Sequence, residues 1–410
     1  MKTHKFVMIA AVAAAAAMVL AGCSSGGTSS PTSTPSKSPI LIGFNDGLTG
    51  DDASLAQANL KIANAAINYT NLTGGIGGRK VKLESLDSGD VGSGKPSGNA
   101  IQLTQQSVVA ILGPTTDGDC ATVFPIVNKA QVPDLCNYVL ADQNAGESSY
   151  VFSSSGSLYG AIDPQMKFLK KETGKSDPRV AILGNVVPGV VLQMKKIAAT
   201  AKAEGIDVVY SEAMSGTDSS VATYTAGILA AKPDAVWFDI FAPFTGPLVS
   251  GIRGAGLKSI PIETVVAGVN YAQLAATADP HLFVTTGANY VFPGKSSSSP
   301  ELKTLLKALA QAGLTSVASI NTGAGPTQLA ADLAVLNALK VCGPSCTGAE
   351  LHKKLLTTTF SFPGLVEGFK FEVNRHDGFN SLKFWSWDAA SGAAKLRSTL
   401  PVGSSSPTSP

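Results

Sequence analysis

Short β-rich runs alternate with longer helical patterns along this chain, and the alternation restarts at Arg179. This order points to parallel α/β layers, because two strands running in the same direction need a crossover between them. Ile40–Phe44 reads as a buried strand, and Leu55, Ala58, Ile62, Ala66 and Tyr69 are spaced to share one face of the following helix. Gly74-Gly75 can stop that helix at positive φ and Gly77-Gly78 can turn the chain into a second strand, where Val81 and Leu83 alternate with lysines. Val108–Leu112 forms a third strand, and Val123–Lys129 is part of the next helix. The second series runs through strand Arg179–Leu183, helix Leu192–Glu204, strand Val208–Ser211, a helix near Ile228 and strand Ala235–Phe238. Helix Leu248–Arg253 and strands Ile262–Val266 and Leu282–Thr285 extend it. Two similar sheets leave a cleft between them, and ligands bind beyond the carboxyl ends of such strands.

The chain ends constrain its compartment. Lys2, His4 and Lys5 precede an apolar run from Val7 to Leu20, too short for a bilayer span and ending in small residues, as an export signal does. Leu20-Ala21-Gly22-Cys23 resembles the bacterial lipobox, which implies removal of residues 1–22 and acylation of Cys23. Residues 23–39 then form a flexible Ser/Thr/Pro linker, and residues 403–410 a disordered tail of like composition. The remaining span, about Ile40 to Val402, exceeds one ordinary core. A formal net charge of +2 without a basic cluster argues against nucleic acid as a partner.

Besides Cys23, Cys120, Cys136, Cys342 and Cys346 form an even set in an exported chain, so two disulfides are expected. Three pairings are open. Cys342 and Cys346 flank a local turn, while Cys120 with Cys136 would join a helix start to the following strand. A metal site is the rival reading, weakened because His281, His352 and His376 have no ligand-like spacing to these cysteines.

The pieces also fall in a familiar order. Gly47-Leu48-Thr49-Gly50, the stretch from Ala65 through Gly74-Gly75-Ile76-Gly77-Gly78 to Val81, Val109–Pro114, Val132-Pro133, Pro233–Val236 and Gly251–Leu257 together resemble the leucine/isoleucine/valine-binding family of ABC-transporter receptors. The resemblance covers nearly the whole mature chain. It implies a type I periplasmic-binding fold of two Rossmann-like lobes with parallel sheets, joined by three hinge crossovers. The N-terminal lobe would comprise residues 40–155 and 288–376, and the C-terminal lobe residues 156–287 and 377–402. It further implies an extracytoplasmic, lipid-anchored monomer that binds a small molecule, docks on an ABC permease and needs no cofactor.

In amino-acid-binding members, two hydroxyl residues meet the ligand carboxylate and an acidic residue meets its ammonium. The matching positions here are Asp117, Leu140 and Ala267. A ligand carboxylate about 4 Å from Asp117 would cost roughly 4 kcal/mol at an effective dielectric near 20, which disfavours a simple α-amino acid. The glycine-led loop Gly113–Gly118 follows a strand and precedes a helix, pointing polar groups into the cleft. Asp117 and Asp239 would accept hydrogen bonds from a polyol, a sugar-like solute or an amine, with Tyr138, Phe241 and Tyr290 as flat walls. Leu55, Thr115, Thr116, Asn137 and Ala267 complete the expected site. Asp117 has a second reading as a helix cap, Asp239 as a solvated strand end, and Trp237 and Phe238 belong to the sheet core.

Catalysis is not expected. From Ile40 onward the chain has no Gly-x-Ser-x-Gly elbow and no His-Glu-x-x-His, and the Gly-rich run after the first helix lacks the Gly-Lys-Ser/Thr ending of a phosphate loop. His281 precedes a strand, His352 is expected on a surface helix, and His376 lies in a turn, so none reads as a general base. The alternatives are an amino-acid receptor, a ligand-sensing surface lipoprotein and a secreted hydrolase.

Overall fold

In a computed structural model of the chain, the apolar run at Ile40–Phe44 becomes β1 (Ile40–Asp46), whose core-facing Ile40, Ile42 and Phe44 are all buried. The structure describes residues 38–50, 53–137, 145–155, 158–240, 242–265, 270–292, 299–322 and 324–402, without the side chains of Asp117, Leu158, Tyr159, Pro188 and Ala242. After β1 come α1 (Ala53–Leu72), β2 (Val81–Asp87), α2 (Lys95–Gln105), β3 (Ile111–Leu112), α3 (Asp117–Ala130), β4 (Asp134–Cys136) and β5 (Val151–Ser153). All five strands run parallel in the order β2-β1-β3-β4-β5. Chain order therefore reverses between β1 and β3, which opens a crevice at their carboxyl ends.

The second series is α4 (Leu158–Thr173), β6 (Arg179–Asn185), α5 (Pro188–Ala203), β7 (Asp207–Met214), α6 (Ala222–Ala231), β8 (Ala235–Asp239), α7 (Ala242–Gly254), β9 (Ile262–Val265), α8 (Tyr271–Thr277) and β10 (Leu282–Thr286). Its strands repeat the first topology as β7-β6-β8-β9-β10, with the switch between β6 and β8. The chain then forms α9 (Pro300–Gln311), α10 (Val317–Ile320), α11 (Gly325–Cys342), α12 (Gly348–Thr357), β11 (Phe360–Phe362) and β12 (Val366–Phe369). Finally β13 (Ser381–Asp388) joins the second sheet antiparallel to β10, and β14 (Ala393–Pro401) pairs antiparallel with β13 at the edge.

These pairings sort the chain into two lobes crossed three times, after β5, after β10 and after β12. Helices α9 and α11 lie on α1, so a late part of the sequence completes the first lobe. Ile42, Phe44, Ile62 and Ala66 share a core there with Leu305, Leu309, Leu329 and Leu336. On the sheet's other face, Leu103, Val123 and Val127 pack over Ile111. In the second lobe Trp237 packs with Met166 and Ile197, while Phe238 packs with Leu248 and Ile252 on the opposite face.

The glycine stop of α1 is formed as expected, with Gly74 at φ 101° and Gly75 at φ 70°. A Cβ on Gly75 would sit 2.1 Å from the Arg79 carbonyl oxygen, because Ile76 and Arg79 pair across the turn. The first and third crossings also touch: the Ser153 N–H donates to the His376 carbonyl at 2.7 Å, and His376 Nδ1 lies 2.6 Å from the Val151 carbonyl. Burial against the stacked Phe152 ring lowers the His376 pKa to about 4. His352 departs from the surface expectation. It is buried on α12 with Nε2 2.9 Å from the Ser149 carbonyl, because that face of the helix closes over Tyr150 and Phe152.

The sulfurs of Cys120 and Cys136 lie 1.92 Å apart and those of Cys342 and Cys346 1.98 Å apart, bonding distance in both pairs. Asp134 sits beside the first pair and Glu350 beside the second. Among the described residues, no helix is long and apolar enough to cross a membrane.

Candidate functional site

The crevice between β1 and β3 holds a small recess of about 10 Å³, lined by Phe44, Asp46, Asn59, Gly113, Pro114, Thr115, Leu135, Asn137 and Gln328. β1 delivers Asp46 at its carboxyl end, and α1 brings Asn59 across from its buried face. The loop after β3 bends sharply into this space. Gly113 has φ 86°, and a Cβ there would stand 2.6 Å from the Asn45 carbonyl, so the close approach of the two strand ends needs glycine.

Asp46 holds that loop in place. Its Oδ1 accepts the N–H groups of Gly47 at 3.0 Å and Thr115 at 3.1 Å, while its Oδ2 accepts the Thr115 hydroxyl. Hydrogen bonds to a carboxylate are about twice as strong as neutral ones, and Asp46 is 4% exposed, so this clamp is shielded from water. Asn59 Nδ2 reaches the same hydroxyl oxygen at 3.3 Å. Opposite, Gln328 of α11 donates from Nε2 to Asp332 Oδ1 at 2.7 Å. Asp332 is wholly buried, which pushes its carboxyl up to about 8 and leaves it protonated at neutral pH. Among the described residues, no lysine or arginine lines the recess.

Thr115 and Asn137 are thus the expected site residues that line the recess itself. Thr116 occupies the cap position of α3, and its hydroxyl donates to Asp119 Oδ2 at 3.0 Å. Asp117 is the first residue inside α3, one place beyond the cap that the alternative reading gave it. Leu55 is half-buried on α1, one turn before Asn59. Tyr138, Phe241 and Ala267, together with Leu140 and Cys23, lie outside the described residues.

Asp239 ends β8 at the switch point of the second lobe and is 8% exposed. Near it, Glu263 on β9 accepts from Gln165 Nε2 at 3.2 Å and from the Thr285 hydroxyl. Burial, with a smaller push from the charge of Asp239, raises Glu263 to about 8. Tyr290 is placed differently from a cleft wall: it is 2% exposed among Tyr271 and Trp385, with ring centroids 5.5 and 5.1 Å away. Burial raises its phenol pKa further.

Asp46, Asn59, Gln328 and Asp332 escaped the sequence reading. For the last three the signal was a polar side chain on a helical face otherwise apolar, as with Asn59 between Leu55 and Ile62, and Asp332 inside an apolar helix, and for Asp46 a carboxylate ending an apolar strand.

The profile of the family described as "Periplasmic binding protein" matches residues 39–393. The chain belongs to that periplasmic binding protein family. No curated protein matches the sequence. Among solved structures, this periplasmic binding protein resembles an R. palustris solute-binding protein in complex with 4-hydroxybenzoate, at 17% identity over 89% of this chain and 97% of that one, with a TM-score of 0.72. A Sphaerobacter thermophilus ABC-transporter substrate-binding protein gives 19% identity, 89% and 98% coverage and a TM-score of 0.71. A Streptococcus pneumoniae branched-chain amino acid transporter substrate-binding protein, in complex with isoleucine, gives 19%, 89% and 99%, and 0.65. These likenesses identify the shared two-lobe, type I fold.

Proposed function

We propose that this periplasmic binding protein is the receptor of an ABC importer and captures a small polar solute bearing hydroxyl or amine groups between its lobes. One observation carries this reading: the recess at the first switch point is floored by a carboxylate, amides and a threonine, with no cationic side chain in its described lining. A solute carboxylate placed there would meet Asp46 without a counter-charge, whereas hydroxyl or amine groups meet acceptors. Asp117, at the start of the adjacent helix, and Asp239, at the matching point of the second lobe, extend the same acidic character. The solute engages both lobes, shifts the ensemble toward a closed form and is released unchanged to a permease.

The exported chain is held at the membrane surface by acylated Cys23, followed by the linker to residue 39. Outside the reducing cytoplasm, Cys120 with Cys136 and Cys342 with Cys346 form disulfides, as their sulfur distances support. The mature protein acts as a monomer.

A thermal-shift screen of sugars, polyols, amines, amino acids and hydroxybenzoates tests the reading. A ligand at 100 times its Kd adds about 2.7 kcal/mol to folding stability, enough to raise the melting temperature by several degrees. The expected hits carry hydroxyl or amine groups and are recovered intact. Shifts confined to α-amino acids would overturn the solute assignment, and conversion of a hit to product would overturn the receptor role.

A further inference from the structure

The Thr115 hydroxyl carries one proton, and where that proton goes fixes the amide beside it. Asp46 already accepts two backbone N–H groups on Oδ1, so its carboxylate acts as an acceptor and the Thr115 hydroxyl donates to Oδ2. The hydroxyl oxygen is left to accept, and Asn59 therefore presents Nδ2 to it, at 3.3 Å. A flipped amide would set two oxygens against each other with no proton between them. Asn59 Oδ1 is forced to the other side of the amide plane. There it has no partner among the described residues, although the residue is 3% exposed and lines the recess. A buried amide oxygen left in that state carries its desolvation penalty uncompensated, which a donor arriving with the solute would recover.

We propose that Asn59 Oδ1 is a specificity-determining contact that accepts a hydrogen bond from a hydroxyl, amine or amide N–H at the end of the solute seated in the recess. This inference rests on the receptor reading and adds the polarity and orientation of the bound molecule. Gln328 supports it, because its Nε2 is likewise committed inward, to Asp332. With about 10 Å³ of free space the recess has room for roughly one water-sized group, so it takes a single terminal hydroxyl or amine while the remainder of the solute lies outside it. A carboxylate or ether oxygen entering first would face Oδ1 lone pair to lone pair and is rejected.

Matched probes test the inference by calorimetry on the mature wild-type protein. Xylitol, D-glucose, putrescine and tyramine are each compared with a methylated counterpart whose O–H or N–H donors are capped. The wild type is expected to bind the donor-bearing member of at least one pair about tenfold or more tightly than its capped partner. Asn59→Leu is expected to lose that discrimination while keeping the affinity of the capped compound. Equal or tighter binding of capped compounds by the wild type overturns the inference, even where Asn59→Leu does not fold. Discrimination that persists in a folded Asn59→Leu variant also overturns it, while leaving the receptor reading intact. A wild type that binds none of the eight probes overturns the receptor reading, and the inference falls with it.

Discussion

Asp46 joins two segments that are far apart in sequence, and its removal would expose what the clamp contributes. In Asp46→Ala the Thr115 N–H and hydroxyl lose their acceptors inside a water-excluded site, for an expected loss of about 2–4 kcal/mol in urea unfolding. Asp46→Asn keeps one carbonyl oxygen for the backbone donors and should lose less. Equal stability of both variants and the wild type would show that the loop is held by something else. Two buried acids give a second prediction. Glu263 and Asp332 are both raised to about 8 in the folded protein, far above the ordinary carboxylate range of the unfolded chain. Between those values the native state keeps protons that the unfolded state has released, so stability falls as pH rises and levels off above about 8. Each group contributes on the order of 1 kcal/mol per pH unit to that fall. Relative to the wild type, Glu263→Gln and Asp332→Asn should flatten the decline in urea midpoint from pH 5 to 8, and parallel profiles would refute the assignment.

The pair Cys120 and Cys136 ties α3 to β4, the strand that Asn137 follows. Closing a loop with a sequence separation of 16 is worth about 3 kcal/mol through the unfolded chain. Cys120→Ala with Cys136→Ala should lower stability by about that amount under oxidising conditions and leave unchanged the stability measured in reductant. A double variant as stable as the oxidised wild type would mean that the bond is not formed. At this scale much of the fold was legible. Strand β1 and the Gly74-Gly75 stop of α1 follow from local spacing and backbone sterics, whereas the expected face of α1 is offset. Ile62 and Ala66 are buried, but Leu55, Ala58 and Tyr69 are half-buried and Ala56, Asn59, Ala63 and Thr70 take the inner positions. β3 is only Ile111–Leu112, shorter than the apolar run Val108–Leu112. Apolarity reports burial, whereas strand length depends on the neighbours that pair. Helix α11, buried nearly all round, has no amphipathic stripe to announce its place against α1. The candidate site was less legible than the fold. Thr115 and Asn137 could be placed because each follows a strand, but Asn59 and Gln328 reach the recess through packing between helices.

Across the whole molecule, both sheets repeat one strand order, so each lobe offers a crevice at its own switch point. Asp46 and Thr115 mark one, while Asn185 and Asp239 end the strands that flank the other. Three chain crossings connect the lobes, and the first and third are pinned together where Ser153 meets His376 and Asp377. The proposed capture by closure is a rotation of the lobes about these crossings, with the pinned pair opposing their separation. Small-angle X-ray scattering of the mature protein, free and saturated with the solute that gives the largest thermal shift, tests closure most directly. The account predicts a smaller radius of gyration on binding. A saturated protein that scatters as the free one does would contradict it.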